Sequence, residues 1–249
     1  MSIVSILARL SAVRHADLRL LDGIDTSQHD DGNHAWLGFD EIDLAACDYP
    51  LAFLKDAQTG QFRLIALFGF QAGQNYFVAE RQWYATFVPR SILLRPLVLS
   101  GAPLHLCVNE GSEFVSTHSG KRLFDDDGLE TQFLANIRTG IETLVQGFDS
   151  AQTFAQVCSG LGLIQKLTLT LTNGQGGSNV IEGLYHISQT ALLELADEDI
   201  VSLARQGYLG AASVMAASLG QLNRLQQLSN AANKDQITHI KIEIERSPY

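Results

Sequence analysis

The chain of 249 residues is 46% hydrophobic and 18% charged, which is typical of a globular protein with a buried core and excludes a mainly disordered chain. Its 17 basic and 27 acidic residues give a formal net charge of −10. Because such a charge repels phosphate backbones and anionic lipid, we expect no nucleic-acid partner.

Neither a membrane span nor a secretory signal is predicted. The apolar pair at 93–94 is followed by Arg95 and Pro96, so no run approaches the ~18 uncharged residues that a spanning helix needs. At the N-terminus no basic residue precedes the short apolar stretch, and Arg9 ends it early.

The cysteines indicate a reducing compartment. Cys47, Cys107 and Cys158 lie far apart and include no Cys-x-x-Cys pair, so neither a disulfide framework nor a zinc cluster is indicated. We therefore expect buried thiols in a cytoplasmic protein, Cys47 among them.

The first half of the chain is predicted to consist mainly of strands. Short apolar runs rich in aromatic or branched residues are bounded there by Gly, Asp and Asn. The predicted strands are Leu51–Leu54, Phe62–Phe70, Tyr76–Val78 and Leu104–Val108. Short strands with tight turns favour antiparallel pairing.

Charge is unevenly distributed along this half. Residues 17–56 hold ten acids and two bases, whereas residues 57–100 hold one acid and four arginines: Arg63, Arg81, Arg90 and Arg95. Either the two segments face each other, or the second is where an anionic ligand would bind.

Two successive helices are predicted next. An apolar stripe at helical spacing runs through Phe133, Leu134, Ile137, Ile141, Leu144 and Val145. The acids at 125–127 precede it and are expected to cap its positive end. A second helix is predicted over Ala151–Leu161, with Asp149 or Ser150 as its cap.

The clearest single element is a β-hairpin. Leu167–Thr172 alternates with period two, meets Asn173-Gly174, and resumes as Val180–Ile187. Three helices and an edge strand with a charged face are predicted after it, over Ser188–Ala196, Asp197–Arg205, Leu209–Leu228 and Ile240–Glu245.

Together these elements predict an α+β fold, with antiparallel strands mostly before residue 125 and helices with one hairpin after it. We expect a single domain over 1–249. A division into lobes at 1–125 and 126–230, with a tail at 231–249, is the alternative.

The last predicted helix carries a row of small residues, Ala212, Ala216 and Gly220, at four-residue spacing. Such a row lets another backbone approach closely. Packing within the chain is favoured, and a homodimer through residues 209–228 is the alternative.

The chain carries no motif that requires catalysis, since it lacks a Walker sequence, a Gly-x-Ser-x-Gly elbow and an EF-hand. No cofactor is predicted. The histidine-rich stretch at 29–34 is interpreted as a solvated turn.

One metal-dependent alternative stays open. His15-Ala16-Asp17 matches the His-x-Asp half of the facial triad of non-haem iron oxygenases, with His105, His118 or His186 as a third ligand. Only fourteen residues precede the motif, whereas those enzymes usually place barrel strands there, so a locally packed His15 is favoured.

Several segments in a fixed order resemble the SapC family. They are Arg14–Leu18, Glu41–Phe53, Ala66–Phe70, Gly73–Val78, Trp83, Phe87–Pro89, Leu123–Gly128, Gly183–Ile187, Leu192–Asp199, Gly207–Leu209 and Ser218-Leu219. The family pattern usually has adjacent arginines and then Pro-Phe after the Val-Pro pair. If those arginines bind a ligand in the family, the role has moved here to Arg90 and Arg95.

The resemblance implies an accessory role near genes for surface-layer export, outer-membrane receptors, cupin-like oxygenases or flavin-dependent halogenases. A peptide-transport permease, a label that the family sometimes carries, conflicts with the lack of membrane spans in the sequence. The resemblance implies no particular reaction.

We therefore expect a non-catalytic accessory protein that binds a peptide or protein client linked to surface-protein or envelope functions. Tyr, Trp and Arg are the residue types that dominate protein contact energies. The candidate binding residues are Asn75, Tyr76, Trp83, Tyr84, Arg90 and Arg95.

Overall fold

The structure is a computed structural model that describes residues 6–24, 32–80, 82–101 and 105–245. The strands are β1 (Leu7–Arg9), β2 (Arg19–Leu20), β3 (His34–Trp36), β4 (Leu51–Lys55), β5 (Phe62–Leu67), β6 (Val78–Ala79), β7 (Gln82–Trp83), β8 (Leu97–Ser100), β9 (His105–Asn109), β10 (Val115–Ser116), β11 (Lys121–Arg122), β12 (Ile164–Asn173), β13 (Ser178–Ile187) and β14 (Ile237–Glu245). The helices are α1 (Ala12–His15), α2 (Ile42–Ala45), α3 (Arg90–Leu93), α4 (Gln132–Gly160), α5 (Gln189–Leu193), α6 (Asp197–Arg205), α7 (Tyr208–Ser218) and α8 (Leu222–Ala232), with 3-10 turns at Phe39–Glu41 and Leu219–Gln221.

One antiparallel sheet organises the molecule. Its six strands lie in the order β14-β12-β13-β4-β5-β3, so it combines strands from both halves of the chain. Two three-stranded sheets, β1-β9-β8 and β10-β2-β11, and the pair β6-β7 complete the strand pairing of the described residues. The predicted α+β fold is confirmed.

The predicted hairpin is present as β12 and β13, and its alternation has the expected cause. Leu167, Leu169 and Leu171 are buried while the threonines between them are half-buried, so one face of β12 lies on the core. Two residues of β13, Glu182 and Gly183, stand opposite one residue of β12, and Gly183 has a φ of 84°. This β-bulge increases the local twist of the hairpin.

Two hydrophobic clusters hold the fold together. The larger one lies against the six-stranded sheet and includes Phe53, Phe154 and Met215, all fully buried. The smaller one includes Leu97 and Leu134.

The two helices predicted between residues 133 and 161 are one helix, so that prediction was wrong. Helix α4 is 29 residues long and begins after Thr131, whose hydroxyl accepts a hydrogen bond from the Leu134 N–H at 3.3 Å. Gly147 lies in its interior, where a Cβ would be 3.0 Å from the Gly38 Cα. Gly147 therefore allows close packing inside the helix, and the Ser150 hydroxyl donates to the Gln146 carbonyl instead of capping a second helix.

The acids at 125–127 do not cap α4 either, which corrects the prediction. Asp125 Oδ1 accepts hydrogen bonds from the N–H groups of Asp127 and Leu129, so it organises a turn ahead of the helix. Asp126 forms an ion pair with Arg122 at 2.5 Å.

The bounds of other helices and strands differ from the predicted ones by a few residues. The strand predicted from Tyr76 begins only at Val78. The predicted helix over 209–228 is divided by the 3-10 turn at Leu219–Gln221 into α7 and α8. Ala212 is buried within the core, whereas Gly220 lies in that turn and is exposed.

The prediction that Cys47 is buried was wrong. Cys47 is exposed in the turn that follows α2, where its thiol donates to the Asp43 carbonyl at 3.4 Å. Ile42 and Ala45, on the other face of this short helix, are the residues that reach the core. Cys107 and Cys158 are buried.

The long helix α4 is mostly amphipathic. Across the described part of the chain, no helix is both long and apolar enough to cross a membrane.

Candidate functional site

The six residues predicted to bind a partner are distributed over several places. Trp83 is half-buried, and its Nε1 donates a hydrogen bond of 2.8 Å to the Tyr49 hydroxyl. The Trp83 ring also packs edge-to-face on Phe68, with 5.1 Å between centroids. Tyr49 in turn donates to the Phe87 carbonyl, and burial raises the pKa of its hydroxyl. Trp83 thus anchors the segment after β7 to the core.

Tyr84 is exposed, and its backbone is held by an ion pair whose carboxylate is buried. Arg224 of α8 pairs with Asp48, which is only 3% exposed, and also donates to the Tyr84 carbonyl at 3.2 Å. The second carboxylate oxygen of Asp48 accepts from the Phe87 N–H at 2.7 Å. The Tyr84 ring therefore projects outward from a fixed backbone.

Arg90 lies among acids of the segment 17–56. Its guanidinium pairs with Asp40 at 2.9 Å, and its backbone N–H donates to Glu41 at 2.7 Å. Glu41 is buried, which raises the pKa of its carboxyl, and it also accepts from the Gly38 N–H at 2.8 Å. Arg63 likewise pairs with Asp56 at 3.7 Å, so two of the four arginines face that acidic segment. Arg81 lies outside the described residues.

Arg95 lines a separate hollow of about 270 Å³ beside the edge strand β3. Trp36 and Phe148 line the same hollow. Arg90, Arg95 and Trp83 are therefore not brought together in one cleft.

Asn75 and Tyr76 lead to a different opening, which we call the amide cleft. Its volume is about 460 Å³, and it is lined by Phe70, Gln71, Gln74, Tyr76, Leu171, Asn173, Gly177, Ser178, Asn179, Ser229, Asn233, Lys234, Asp235 and Ile237. Three parts of the chain meet here: the loop after β5, the turn of the β12–β13 hairpin, and the connection from α8 to β14. Asn75 lies at its margin, where its Oδ1 accepts from the Phe77 N–H at 2.9 Å.

The floor of the amide cleft is apolar and its position is fixed. Phe70 and Leu171 are each 6% exposed, and the Tyr76 ring packs at a tilt against Phe70. The Tyr76 hydroxyl donates to Gln74 Oε1 at 2.6 Å and accepts from Asn233 Nδ2 at 3.1 Å. The first bond stiffens the loop after β5, and the second ties that loop to the end of α8.

The rim of the amide cleft is polar. Gln71, Asn179, Lys234 and Asp235 are exposed. An amide side chain offers both a donor and an acceptor. Hydrogen bonding around an apolar floor is therefore the chemistry that this cleft offers.

One wall of the amide cleft is an unpaired strand edge. Strand β13 pairs with β4 only at Leu184 and Tyr185, just beyond the bulge. Among the described residues no strand pairs with residues 178–183 on that side. Ser178 and Asn179 belong both to this edge and to the cleft lining.

The hydrogen-bond pattern shows which groups face outward at this edge. The Asn173 N–H donates to the Gly177 carbonyl at 2.9 Å, so this pair bonds across the hairpin. Because hydrogen-bonded and non-hydrogen-bonded pairs alternate in an antiparallel ladder, the N–H and C=O of Ser178 and Val180 point away from β12. The edge thus presents backbone donors and acceptors with which no strand of the described residues pairs.

The residues of the metal-dependent alternative do not converge. His15 is buried, its Nδ1 accepts from the Ser11 N–H at 3.1 Å, and its Nε2 donates to Glu110 at 3.0 Å. Asp17 is exposed. His186 is fully buried in the main core, and no three His, Cys, Asp or Glu side chains of the described residues are grouped as metal ligands.

Of the six predicted residues, Tyr76 lines the amide cleft and Asn75 lies beside it, whereas the other residues of the lining were not predicted. Gln71, Asn179 and Asn233 belong to segments far apart in the chain, and none lies in a recognisable motif. The polar run Asn233–Gln236 between two apolar segments was the one available signal, and it indicates only a turn.

An antiparallel α+β protein with a polar cleft at the end of a hairpin is the class that the fold and the site define. A family model described as SapC matches residues 10–225, and the chain therefore belongs to the SapC family. No curated protein and no solved structure matches it.

Proposed function

We propose that this SapC-family protein is a non-catalytic accessory protein that binds an extended segment of a peptide or protein client in the amide cleft. The observation that carries the proposal is the coincidence of an open cleft with an unpaired strand edge at Ser178 and Asn179. The link to surface-protein or envelope functions, and a cytoplasmic location, are part of the proposal; the first rests on the family.

Backbone hydrogen bonds would provide the main attraction. An extended peptide can add itself to a sheet edge, where main-chain hydrogen bonds give affinity and alternate side chains enter pockets. The outward N–H and C=O groups of Ser178 and Val180 are suited to that mode, since β4 does not reach them.

The lining indicates the kind of segment that fits. The floor of Phe70, Leu171 and Tyr76 would accept an apolar side chain, and the amides of Gln71 and Asn179 would bond to polar or backbone groups. Lys234 and Asp235 place opposite charges at the rim. We expect a weakly charged, extended segment with an apolar residue at its centre.

Selection from a phage-displayed random peptide library, followed by calorimetric titration of the selected peptides, tests this proposal. Val180→Pro removes an outward N–H at an edge position where proline is tolerated, and we expect it to weaken binding by about tenfold or more. Val180→Thr keeps the N–H and a β-branched side chain, and should bind as the wild type does.

Cleft side chains give an independent arm. A Gln71→Ala, Asn179→Ala double variant should lose affinity for the same peptides, while Gln175→Ala, in the exposed hairpin turn outside the lining, should not. The proposal would be overturned if no peptide is selected, or if Val180→Pro and the double variant both bind the selected peptides as tightly as the wild type does.

A further inference from the structure

The other edge of the six-stranded sheet is formed by β14, and it is also open. Strand β14 pairs with β12 on one side, and no described strand pairs with it on the other. Its core-side residues Ile240, Ile242 and Ile244 stand opposite the buried leucines of β12. Ile242 nevertheless stays 42% exposed, which leaves an apolar side chain uncovered in the middle of this edge.

At Ile240, Ile242 and Ile244, the backbone N–H and C=O groups of β14 point away from β12 and toward the open edge. In β12, Leu171 bonds toward β13, because the bonded pair at Asn173 and Gly177 fixes the alternation of the ladder. Its neighbour Thr170 therefore bonds toward β14, where it meets Lys241. The residues on either side of Lys241 then direct their N–H and C=O groups outward, and so does Ile244.

The charges on the opposite face of β14 are arranged so that the strand complements itself. Along 239–245 that face carries His239, Lys241, Glu243 and Glu245 in turn. An antiparallel pairing of two identical strands about Ile242 places Lys241 opposite the second copy's Glu243 twice, and His239 opposite its Glu245 twice. Opposite charges directly across an antiparallel pair are stabilising, and like charges are destabilising.

Neighbouring registers are penalised. A pairing centred on Lys241 puts two lysines together, and a pairing centred on Glu243 puts two glutamates together. A pairing centred on Ile240 sets Lys241 against His239 and so gives the lysine no carboxylate partner, and one centred on Ile244 sets Glu243 against Glu245. Among these registers, the one centred on Ile242 both avoids like charges along 239–245 and gives each Lys241 a glutamate partner.

We infer that two copies of this chain associate through β14, antiparallel and centred on Ile242, to form a sheet that continues across a two-fold axis. In that register the outward residues Ile240, Ile242 and Ile244 form the hydrogen-bonded pairs. Lys241 and Glu243 form non-hydrogen-bonded pairs, in which the side chains lie closest. In the single chain Lys241 forms an ion pair with Glu243 of its own strand at 2.7 Å. In the dimer each lysine would therefore lie between two glutamates, one from its own strand and one from the second copy.

Sedimentation equilibrium of the full chain over a range of concentrations tests this inference. We expect a reversible dimer for the wild type. Lys241→Glu places glutamates opposite each other at two positions and should raise the dimer dissociation constant by at least about tenfold. Glu243→Lys should do the same through opposed lysines.

Two combinations separate pairing from general effects of charge. The double variant Lys241→Glu, Glu243→Lys restores opposite charges in the same register and should dimerise as the wild type does. Mixing the two single variants should yield a heterodimer, because each then carries the charge that the other requires.

Ile242→Pro provides a charge-independent arm, since it removes the outward N–H at the two-fold axis from an edge position. It should abolish dimerisation while the circular dichroism spectrum stays that of the wild type. A wild type that is monomeric at all concentrations overturns the inference. A dimer that survives Lys241→Glu and Ile242→Pro but is lost in Ala216→Leu overturns it in favour of the α7 face. Peptide binding at β13 is a separate readout, so either proposal can fail alone.

Discussion

The buried side chain of His186 should make the stability of the protein depend on pH, and its surroundings give the direction and size of the effect. Its ring is fully buried, and Nδ1 donates to the Ile187 carbonyl at 2.9 Å, which leaves Nε2 without a proton and without a hydrogen bond among the described residues. Burial lowers the pKa of His186 from its ordinary value of 6.5 to about 4, against the opposing effects of the backbone groups of Ile187 and Met215. The folded state therefore holds this imidazole neutral.

The sign and size of the effect follow by linkage. Above pH 6.5 both states carry neutral His186, and its contribution to stability is fully present. As the pH falls from 6.5 toward 4, His186 becomes protonated in the unfolded state but stays neutral in the folded state, so the free energy of unfolding decreases. Between about pH 7 and about pH 5 this group alone should lower the free energy of unfolding by about 2 kcal/mol.

Urea unfolding at several pH values, for the wild type and His186→Leu, measures this contribution. The variant loses the Ile187 hydrogen bond. Between about pH 7 and about pH 5, however, its free energy of unfolding should fall by about 2 kcal/mol less than that of the wild type. His118→Gln removes an exposed imidazole and should keep the wild-type slope. An NMR titration in which the His186 ring protonates near 6.5 in the folded protein, or an unchanged slope in His186→Leu, would refute the reasoning.

Three further changes should act through contacts described above, each measured by urea unfolding at neutral pH. Glu41→Ala leaves two backbone N–H groups without their acceptor and should cost at least about 2 kcal/mol, whereas Asp43→Ala, on the exposed face of α2, should change stability by less than about 0.5 kcal/mol. Arg224→Met leaves the buried carboxylate of its ion pair without a counter-charge and should cost about 3 kcal/mol; an effect below about 1 kcal/mol would contradict that account. Gly147→Ala introduces a Cβ 2.8 Å from the Asp40 carboxylate and 3.0 Å from a backbone carbon, and should destabilise by about 1–3 kcal/mol. Gly160→Ala, with nothing within 4 Å, should be neutral or stabilising, and equal effects at the two glycines would count against close packing at Gly147.

Local patterns predicted the elements whose periodicity reflects burial on one face. The hairpin of β12 and β13 and the edge strand β14 were predicted because their alternation is the direct result of one face lying on the core. Helix α4 was wrongly divided because Asp149 and Ser150 are residue types that favour helix N-caps, whereas in the structure the Ser150 hydroxyl donates to the Gln146 carbonyl inside one continuous helix.

The candidate site was much less accessible to sequence reasoning. Tyr76 was selected as an aromatic residue suited to contacts, yet its place in the amide cleft depends on Asn233, which lies in a distant segment. The cleft edge itself exists because β4 ends at Lys55 and pairs with β13 only at Leu184 and Tyr185, and backbone pairing of that kind has no side-chain signature. Exposed Cys47 shows the same limit, because a short helix has too few residues to define which face is buried.

The way the six-stranded sheet is assembled has a consequence for biosynthesis. Strands β4 and β5 form a local hairpin, but their neighbour β13 follows the whole of α4 in the chain, and β14 comes later still. A ribosome therefore releases the early hairpin with one flank open while the helix that separates it from its neighbour is still being made. Nascent chains of this protein should depend on chaperones that shield that flank. Products of premature termination before β13 should be prone to aggregation and to rapid degradation.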